Sequence, residues 1–239
     1  MTTSPPAIEV RDLCAAYGRI QVLHGVSFAV PTGTVVALLG PNGAGKSTTL
    51  KCISGQLRPT SGHVHIGGHH LDGGDAPDAL ARAGMCTVPE GRGIFPNLSV
   101  NENLRLFAYA AKASEKEIRE RTYAQFPRLA ERRTQLAGRL SGGEQQMLAM
   151  SRALATDPGV LLLDELSMGL APKIVEELYA IVSDIARHGV SVLVVEQFAR
   201  RALAVAQYGV VMVGGRVTAV GEPEDIRDEL SAAYLGGAA

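Results

Sequence analysis

The segment GPNGAGKSTTL, residues 40–50, directly follows the apolar run Val35–Leu39. That run is partly β-branched and bounded by glycines, which predicts a short strand buried on both faces. After the loop, Leu50 and Ile53 lie on one side of a predicted helix, and Gly55 is a stop signal. Strand, glycine-rich loop and helix form the context in which the spacing G-x-x-x-x-G-K-[ST] predicts a phosphate-binding loop.

The chemistry of this loop favours a nucleoside triphosphate. Glycines lack Cβ, so the main-chain N–H groups can turn inward and, with the positive end of the following helix, favour an anion. Lys46 adds a mobile charge for the β- and γ-phosphates, and Ser47 Oγ is a hard oxygen ligand for Mg²⁺. The alternative, a plain glycine-rich turn, would not require so many matching positions at once. The predicted nucleotide-binding residues of the loop are Asn42, Gly43, Ala44, Gly45, Lys46, Ser47 and Thr48.

Composition and charge narrow the class of protein. A chain of 239 residues, 46% of them apolar, suits one large domain, or a domain with a subdomain, and a substantial core. The net charge of −1 gives no electrostatic reason to expect nucleic acid or an anionic membrane as a partner. The sequence has no apolar run near the roughly 20 residues of a membrane span and no pattern of a secretory signal at its start. Cys14, Cys52 and Cys86 lack paired spacing, so we expect reduced thiols in a cytosolic protein.

The segment GHVHIGGHHLDGGD, residues 62–75, is rich in histidine and has two interpretations, a metal site or a surface hairpin. His63 and His65 alternate with apolar residues, which predicts a half-buried strand with both imidazoles facing solvent. The glycine pair 67–68 favours a turn. Since no acidic or cysteine partner has a diagnostic spacing, the hairpin is favoured over the metal site. The candidate ligands of the metal site are His63, His65, His69 and His70.

Strand-like patterns recur along the chain. β-like stretches in residues 1–30, together with residues 62–66, predict a small antiparallel sheet. Residues 85–88, 159–165 and 190–196 predict further strands, and the last two are apolar enough to be buried. Because helical segments alternate with these strands, we expect a mainly parallel sheet that is covered on both faces.

The region from about residue 91 to 150 has a helical pattern. Ser99 with Glu102, and Ser114 with Glu117, have the spacing of a capping box, which marks a helix N-terminus. We therefore predict a helical insertion between the strands.

Two carboxylates end the predicted strand at residues 159–165. Asp164, at the carboxyl end of a strand beside a phosphate loop, is placed to bind Mg²⁺ through water. Glu165 is the better candidate to orient or deprotonate the attacking water. The alternative is a strand that simply ends in acidic residues at the surface.

The segment LSGGEQQMLAMSRAL, residues 140–154, predicts a second anion-binding helix end. Ser141 and Glu144 fit a capping box, and Gly142 and Gly143 leave main-chain N–H groups open. An ordinary capped helix would explain the serine and the glutamate, but not two glycines in a first turn, where they are costly.

Three motifs in this order resemble those of the ATP-binding cassette (ABC) ATPases: GPNGAGKST their phosphate loop, LSGGE their signature and LLLDE their acidic strand. The resemblance covers nearly the whole chain. It implies an α/β fold, a P-loop NTPase (RecA-like) core with a parallel sheet, a small antiparallel β subdomain and an α-helical subdomain. The implied nucleotide-binding core comprises residues 1–88 and 151–239, and residues 89–150 form the helical signature subdomain with a switch loop. The implied activity is ATP hydrolysis, with ATP and Mg²⁺ as cofactors.

The same resemblance implies partners. In that family two ATPase subunits pack head to tail, and the signature of one closes over ATP held by the phosphate loop of the other, so Ser141, Gly142 and Gly143 would serve the partner's nucleotide. Two membrane permease subunits and, indirectly, an extracytoplasmic substrate-binding protein are also implied, without nucleic acid. The implied location is cytoplasmic, peripheral on the inner face of the cell membrane. Tyr17 matches the family's adenine-stacking aromatic, and the alternative is a core tyrosine.

Three positions depart from the family pattern: Glu90 replaces the usual glutamine, Gln197 the usual switch histidine and Leu166 the usual proline. A carboxylate at position 90 can approach Mg²⁺ but adds charge near the γ-phosphate. An amide at position 197 can donate to a phosphate oxygen but cannot carry a proton. Gln197 therefore favours a mixed pair of ATPase subunits in which the partner supplies histidine, with a homodimer as the alternative. The catalytic candidates are Glu165, Gln197 and Glu90, and the magnesium candidates are Ser47, Asp164 and Glu90.

Several segments resemble one branch of the family, an ATPase of the branched-chain amino acid importers. They are VPEGRGIFPNLSVNENL, LSGGEQQMLA, LSMGLAP, VVEQ and AYLGG. The expected function is an ATP-hydrolysing motor subunit for uptake of branched-chain or related amino acids. Leu166 departs even from this branch. Residues 91–96, GRGIFP, are the candidate docking surface for a membrane subunit, and the alternative is that Ile94 and Phe95 are tucked into the core.

Other functions remain open at this point. A related urea or amide importer ATPase is less similar, because the urea-importer ATPase tends to have glutamine at the position of Glu90. A non-transport ATPase acting on DNA or ribosomes, a catalytically weak cassette and a soluble phosphotransferase are the further alternatives.

Overall fold

The computed structural model describes residues 5–71, 77–91, 93–108 and 113–235. In these residues the strands are β1 Ile8–Tyr17, β2 Ile20–Val30, β3 Val35–Leu39, β4 Ser61–Ile66, β5 His69–Leu71, β6 Met85–Val88, β7 Val160–Asp164, β8 Ser191–Glu196, β9 Tyr208–Val213 and β10 Arg216–Gly221. The α-helices are α1 Lys46–Ile53, α2 Pro77–Arg82, α3 Val100–Ala108, α4 Glu115–Gln125, α5 Pro127–Glu131, α6 Gly142–Leu154, α7 Pro172–Arg187, α8 Ala199–Leu203 and α9 Arg227–Leu235.

The strand that precedes the phosphate loop lies inside a six-stranded sheet of order β10-β9-β3-β8-β7-β6. The strands from β9 to β6 run parallel, and β10 is antiparallel to β9, so the predicted mainly parallel sheet is confirmed. Leu39 at the end of β3 pairs with Glu196 of β8, and Asp164 at the end of β7 pairs with Val195. The carboxyl ends of these three strands therefore meet at one edge of the sheet, where parallel α/β sheets bind their ligands.

The small antiparallel sheet is confirmed and has the order β2-β1-β4-β5. Its β4-β5 hairpin turns at Gly67 and Gly68, with φ of 57° and 83°, which glycine adopts without a Cβ clash. His63 is exposed as expected, whereas His65 is half-buried, with Nδ1 3.8 Å from Glu9 Oε2. The surface hairpin is thus confirmed, and among the described residues no group of three or more His, Cys, Asp or Glu could hold a metal ion.

Alternate side chains of each strand point to opposite faces of the central sheet. Both faces pack against other elements, as β3 shows. On β3, Val35 and Leu39 belong to a core shared with the helices, while Val36 and Leu38 belong to a core shared with the small sheet. All four are fully buried. Burying a side chain of this kind contributes about 1.5–3 kcal/mol, and a one-residue shift in register would exchange the two faces.

Helices α3 to α6 lie between β6 and β7, as the pattern of residues 91–150 predicts. The capping box at Ser114 is formed, and Ser99 Oγ accepts from the Glu102 amide directly before α3. Helix α6 runs without a break to Leu154, across the expected boundary at residue 150. The division of the chain into residues 1–88 and 151–239 and residues 89–150 therefore stays a prediction.

Cys14, Cys52 and Cys86 are free thiols, and burial raises the pKa of Cys52 to about 11. In the part of the chain that is described, no helix is both long and apolar enough to span a bilayer.

Candidate functional site

The phosphate loop leaves β3 and folds closely over the core. Gly45 has a φ of 101°, and a Cβ added there would lie 2.7 Å from Leu23 Cδ2. A Cβ at Gly40 would lie 2.2 Å from the carbonyl oxygen of Met212. The backbone clash at Gly40 and the positive φ of Gly45 therefore favour glycine at both positions. The pocket beside the loop has a volume of about 170 Å³, and its described lining is Val22, Asn42, Gly43, Ala44, Gly45, Lys46, Ser47, Thr48 and Glu165.

The N-terminus of α1 opens into this pocket. Gly45 is its N-cap, and no side chain among the described residues caps the helix. The first-turn amides and the positive end of the helix dipole are therefore available to an anion that enters the loop.

Lys46 is held inside the loop rather than in solvent. It is 4% exposed, and its Nζ donates to the main-chain carbonyls of Gly40 (2.8 Å) and Pro41 (3.1 Å). Burial lowers the pKa of Lys46, and the nearby carboxylates, first Glu165 and then Asp164, oppose that shift. The buried ammonium is suited to an anionic ligand, which would compensate its desolvation.

Asp164 has the properties of a carboxylate that binds a cation. Burial, together with the charges of Glu165 and Glu90, raises the pKa of Asp164 to about 6. Its Oδ1 is buried, and none of the described residues donates a hydrogen bond to it. A buried oxygen without a partner beside further carboxylates, with Ser47 in the adjoining pocket, fits the hard oxygen donors that Mg²⁺ prefers.

Glu165 lines the pocket and has a constrained backbone. Its φ is +48°, in the left-handed region, which costs a non-glycine residue roughly 1–2 kcal/mol. Its amide donates to the carbonyl of Val195 at 2.9 Å, so the turn is tied to β8. Burial raises the pKa of Glu165, and the charge of Glu90 adds to the rise. A carboxylate with a raised pKa in a pocket is typical of a general base.

A buried hydrogen-bond network that the sequence pattern does not predict stabilises this turn. Glu196 is 1% exposed, and its carboxylate accepts from the Ser167 amide (2.8 Å), Ser167 Oγ (3.0 Å) and Tyr179 Oη (2.9 Å). Leu166, the unexplained departure, is 1% exposed and packs in the core, so it serves as an anchor between Glu165 and Ser167. The one signal for this network is an acidic residue at the end of an apolar strand.

Glu90 and Gln197 lie at the same edge of the sheet but outside the described lining of the phosphate pocket. Glu90 is exposed, and its charge raises the pKa of both Asp164 and Glu165. Gln197 is half-buried directly after β8, and its main-chain carbonyl accepts from Tyr234 Oη. Their contacts with a phosphate stay predictions.

Tyr17 is 45% exposed at the end of β1, which does not fit the alternative of a core tyrosine. Lys51 Nζ lies 5.8 Å from the centre of its ring. An exposed ring is available for stacking on a base, and its role with adenine stays a prediction.

The predicted capping box at the start of α6 is confirmed. Ser141 Oγ accepts from the Glu144 amide, and Glu144 Oε2 accepts from the Ser141 amide. Burial would raise the pKa of Glu144, but hydrogen bonds from Ser141 and the charge of Arg132 outweigh it and lower the pKa. A Cβ at Gly143 would lie 2.5 Å from Ile174 Cγ2, so close packing on α7 also requires this glycine.

The residues of this turn, Ser141, Gly142 and Gly143, do not belong to the described lining of the phosphate pocket of their own chain.

A phosphate loop, an acidic strand end and the capped signature turn, Ser141 to Gly143, on this fold are the features of a nucleotide-binding ATPase. A family model described as "ABC transporter" matches residues 23–167, and the chain belongs to the ABC transporter family. It therefore hydrolyses ATP.

Individual relatives agree with this class. The chain is 42% identical to the high-affinity branched-chain amino acid transport ATP-binding protein BraG of Pseudomonas aeruginosa, over 92% of this chain and 96% of that protein. BraF of the same organism is 31% identical, over 98% of this chain and 100% of that protein. The lipopolysaccharide export protein LptB of Acidithiobacillus ferridurans is 32% identical, over 96% of each chain. Among solved structures, the ADP conformation of MJ1267, an ATP-binding cassette of an ABC transporter, matches with a TM-score of 0.84. The two sequences are 25% identical, and the match covers 98% of each chain.

Proposed function

We propose that this chain is the ATP-hydrolysing motor subunit of an importer for branched-chain or related amino acids. The observation that carries the motor function is the pocket in which Lys46, Ser47 and Glu165 converge, together with the buried, unpartnered Oδ1 of the neighbouring Asp164. The substrate class is supported by the 42% identity with BraG across almost the full length of both chains.

The residues in and around the pocket have distinct proposed roles. Lys46 and the amides at the start of α1 bind the β- and γ-phosphates, and Tyr17 stacks on adenine. Ser47 and Asp164, with Glu90 nearby, would hold Mg²⁺, which neutralises charge on the phosphates when it is bound. Glu165 orients the attacking water and accepts its proton, and Gln197 donates to a γ-phosphate oxygen.

The active unit contains a second ATPase chain. Because Ser141, Gly142 and Gly143 lie outside the pocket of their own chain, they are available to the nucleotide of a neighbour. Gln197 in place of histidine favours a mixed pair, and the similarity to both BraG and BraF of one organism supports two distinct subunits. A homodimer is the alternative.

The pair acts with two membrane permeases on the inner face of the cell membrane and, through them, with an extracytoplasmic binding protein. In the candidate docking loop, Ile94 packs against the core whereas Phe95 is 46% exposed. Phe95 is therefore the apolar contact that the loop offers to a permease.

The test is transport by the reconstituted complex. The chain, its companion ATPase, the permeases and the binding protein from the same gene cluster are placed in liposomes, and uptake of labelled leucine is compared with uptake of labelled urea. The proposal expects ATP-dependent uptake of leucine that is lost with Lys46→Ala. Uptake of urea alone would contradict the proposed substrate class. ATP-dependent movement of lipopolysaccharide, which LptB is named for exporting, would contradict the proposal that this chain drives import.

A further inference from the structure

We propose that Tyr234, on the C-terminal helix α9, is a positioning residue that ties the phosphate loop to Gln197 and so sets the rate of ATP turnover. The Gly40 amide donates to Tyr234 Oη at 3.2 Å, and Tyr234 Oη donates to the main-chain carbonyl of Gln197. One hydroxyl thus joins the first residue of the phosphate loop to the residue at the expected switch position.

The placement of this hydroxyl follows from the strand register. Leu39 and Glu196 are the last paired residues of β3 and β8, so Gly40 and Gln197 are the next residues of the two strands. The two strands separate here, because β3 continues into the phosphate loop and β8 continues towards α8. A hydroxyl can accept from one strand and donate to the other at the same time. Tyr234 therefore fixes the separation of the two segments at the point where the ladder of the sheet ends.

The contact is also the specific attachment of α9 to the site. None of the residues of α9 is fully buried, and Leu230 and Ala233 only partly pack against the core. The hydroxyl of Ser231 bonds within the helix, to the carbonyl of Arg227. Burial raises the pKa of the Tyr234 hydroxyl.

This inference rests on the proposed roles of the phosphate loop and Gln197. Without the hydroxyl, the contacts of Lys46 and the loop amides with phosphate remain, so ATP binding is retained. The main chain of Gln197 is no longer held against the loop, and its amide is less often aligned with the γ-phosphate. The loss is therefore expected in kcat rather than in KM for ATP.

The experiment compares Tyr234→Phe with Tyr208→Phe in the full chain together with its partner subunits. Tyr208 is a matched control, because it is 37% exposed at the start of β9 and its hydroxyl bonds to no residue in the described part of the chain. Tyr234→Phe is expected to lower kcat about tenfold, with KM for ATP unchanged within about twofold. Tyr208→Phe is expected to match the wild type. Equal kcat in the two variants would overturn the inference.

A double-mutant cycle separates positioning from a general loss of structure. In a Gln197→Ala background the Tyr234→Phe change is expected to have a much smaller effect on kcat, because the side chain that it positions is gone. An undiminished effect in that background would overturn the coupling. Lys46→Ala separates a failure of the proposed ATP site from a failure of the proposed role of Tyr234. If Lys46→Ala still turned over ATP, the proposed site would be wrong, and the role of Tyr234 with it. If Lys46→Ala is inactive and Tyr234→Phe is normal, the inference alone fails.

Discussion

At the level of single residues, Glu165 has a strained backbone conformation that the surrounding residues stabilise. Its left-handed conformation is unfavourable by itself, and such residues persist where the surroundings hold them. Here the Val195 carbonyl, the buried Leu166 and the bonds of Glu196 to Ser167 fix the turn. The carboxylate of Glu165 is thereby directed into the phosphate pocket.

Glu165→Gln is expected to lower kcat for ATP hydrolysis by at least about 100-fold, because the amide cannot accept the proton of water. ATP binding should be retained, since the phosphate contacts are unchanged, and the ATP-bound pair of subunits should accumulate. Phosphate release and gel filtration with ATP measure the two effects. The matched control is Glu222→Gln, an exposed glutamate after β10 that should behave as the wild type. Unchanged turnover in Glu165→Gln would remove Glu165 from its role.

Lys46→Ala should reduce kcat/KM for ATP by about 100-fold or more, the size expected when a charged donor to phosphate is lost. Lys173→Ala is the control, because this lysine is exposed at the start of α7. Steady-state hydrolysis over a range of ATP concentrations checks both variants. Normal hydrolysis by Lys46→Ala would contradict the assignment of the phosphates to this loop.

Glu196→Ala leaves three buried donors without an acceptor, and each costs about 1–3 kcal/mol. We expect the free energy of unfolding to fall by about 3 kcal/mol or more. Glu196→Gln keeps an oxygen for the Ser167 amide and for Tyr179, so its loss should be clearly smaller. Urea denaturation of both variants is the measurement, and equal losses would show that the hydrogen-bond geometry is not what stabilises the turn.

At the scale of elements, helix α6 shows that one glycine can serve packing as well as chemistry. Gly143→Ala should destabilise the fold by about 1–3 kcal/mol, because its Cβ would meet Ile174 Cγ2. In an Ile174→Ala background the same change should cost much less, since the clashing atom is absent. Thermal unfolding of the single and double variants tests this. Additive losses would mean that the contact between α6 and α7 does not restrict position 143.

Most elements near the site could be predicted from local signals. Apolar runs marked the buried strands, and the serine–glutamate spacing marked the starts of α3, α4 and α6. Helix α9 and the contact of Tyr234 could not be predicted in this way, because that hydroxyl meets Gly40, which is 194 positions away. The burial of Glu196 was missed for a similar reason: Tyr179 and Ser167, which satisfy it, lie on other elements.

At the scale of the whole molecule, the parallel sheet brings distant motifs to one edge. The register of β3, β8 and β7 places the phosphate loop, Gln197 and Asp164 side by side. The sequence predicted these three segments separately, and the sheet explains why they meet. The signature turn at Ser141 is the exception, because it does not line the pocket of its own chain.

A mixed pair of ATPase subunits is the expected functional unit. Co-expression with the companion ATPase should raise turnover per chain well above that of this chain alone, because Gln197 cannot carry a proton. Size-exclusion chromatography and ATPase assays on the purified pair check this prediction. Full activity of this chain without the companion would count in favour of a homodimer.

We expect one triphosphate to be bound from two sides, by the phosphate loop of one chain and the signature turn of another. The deciding measurement is a structure of the Glu165→Gln complex loaded with ATP and Mg²⁺. The γ-phosphate on the Lys46 side of one subunit is expected to face the serine–glycine turn of the second subunit. Where this chain supplies that turn, it comprises Ser141 to Gly143. A γ-phosphate enclosed by a single chain, with that turn remote and no second subunit opposite, would contradict this expectation.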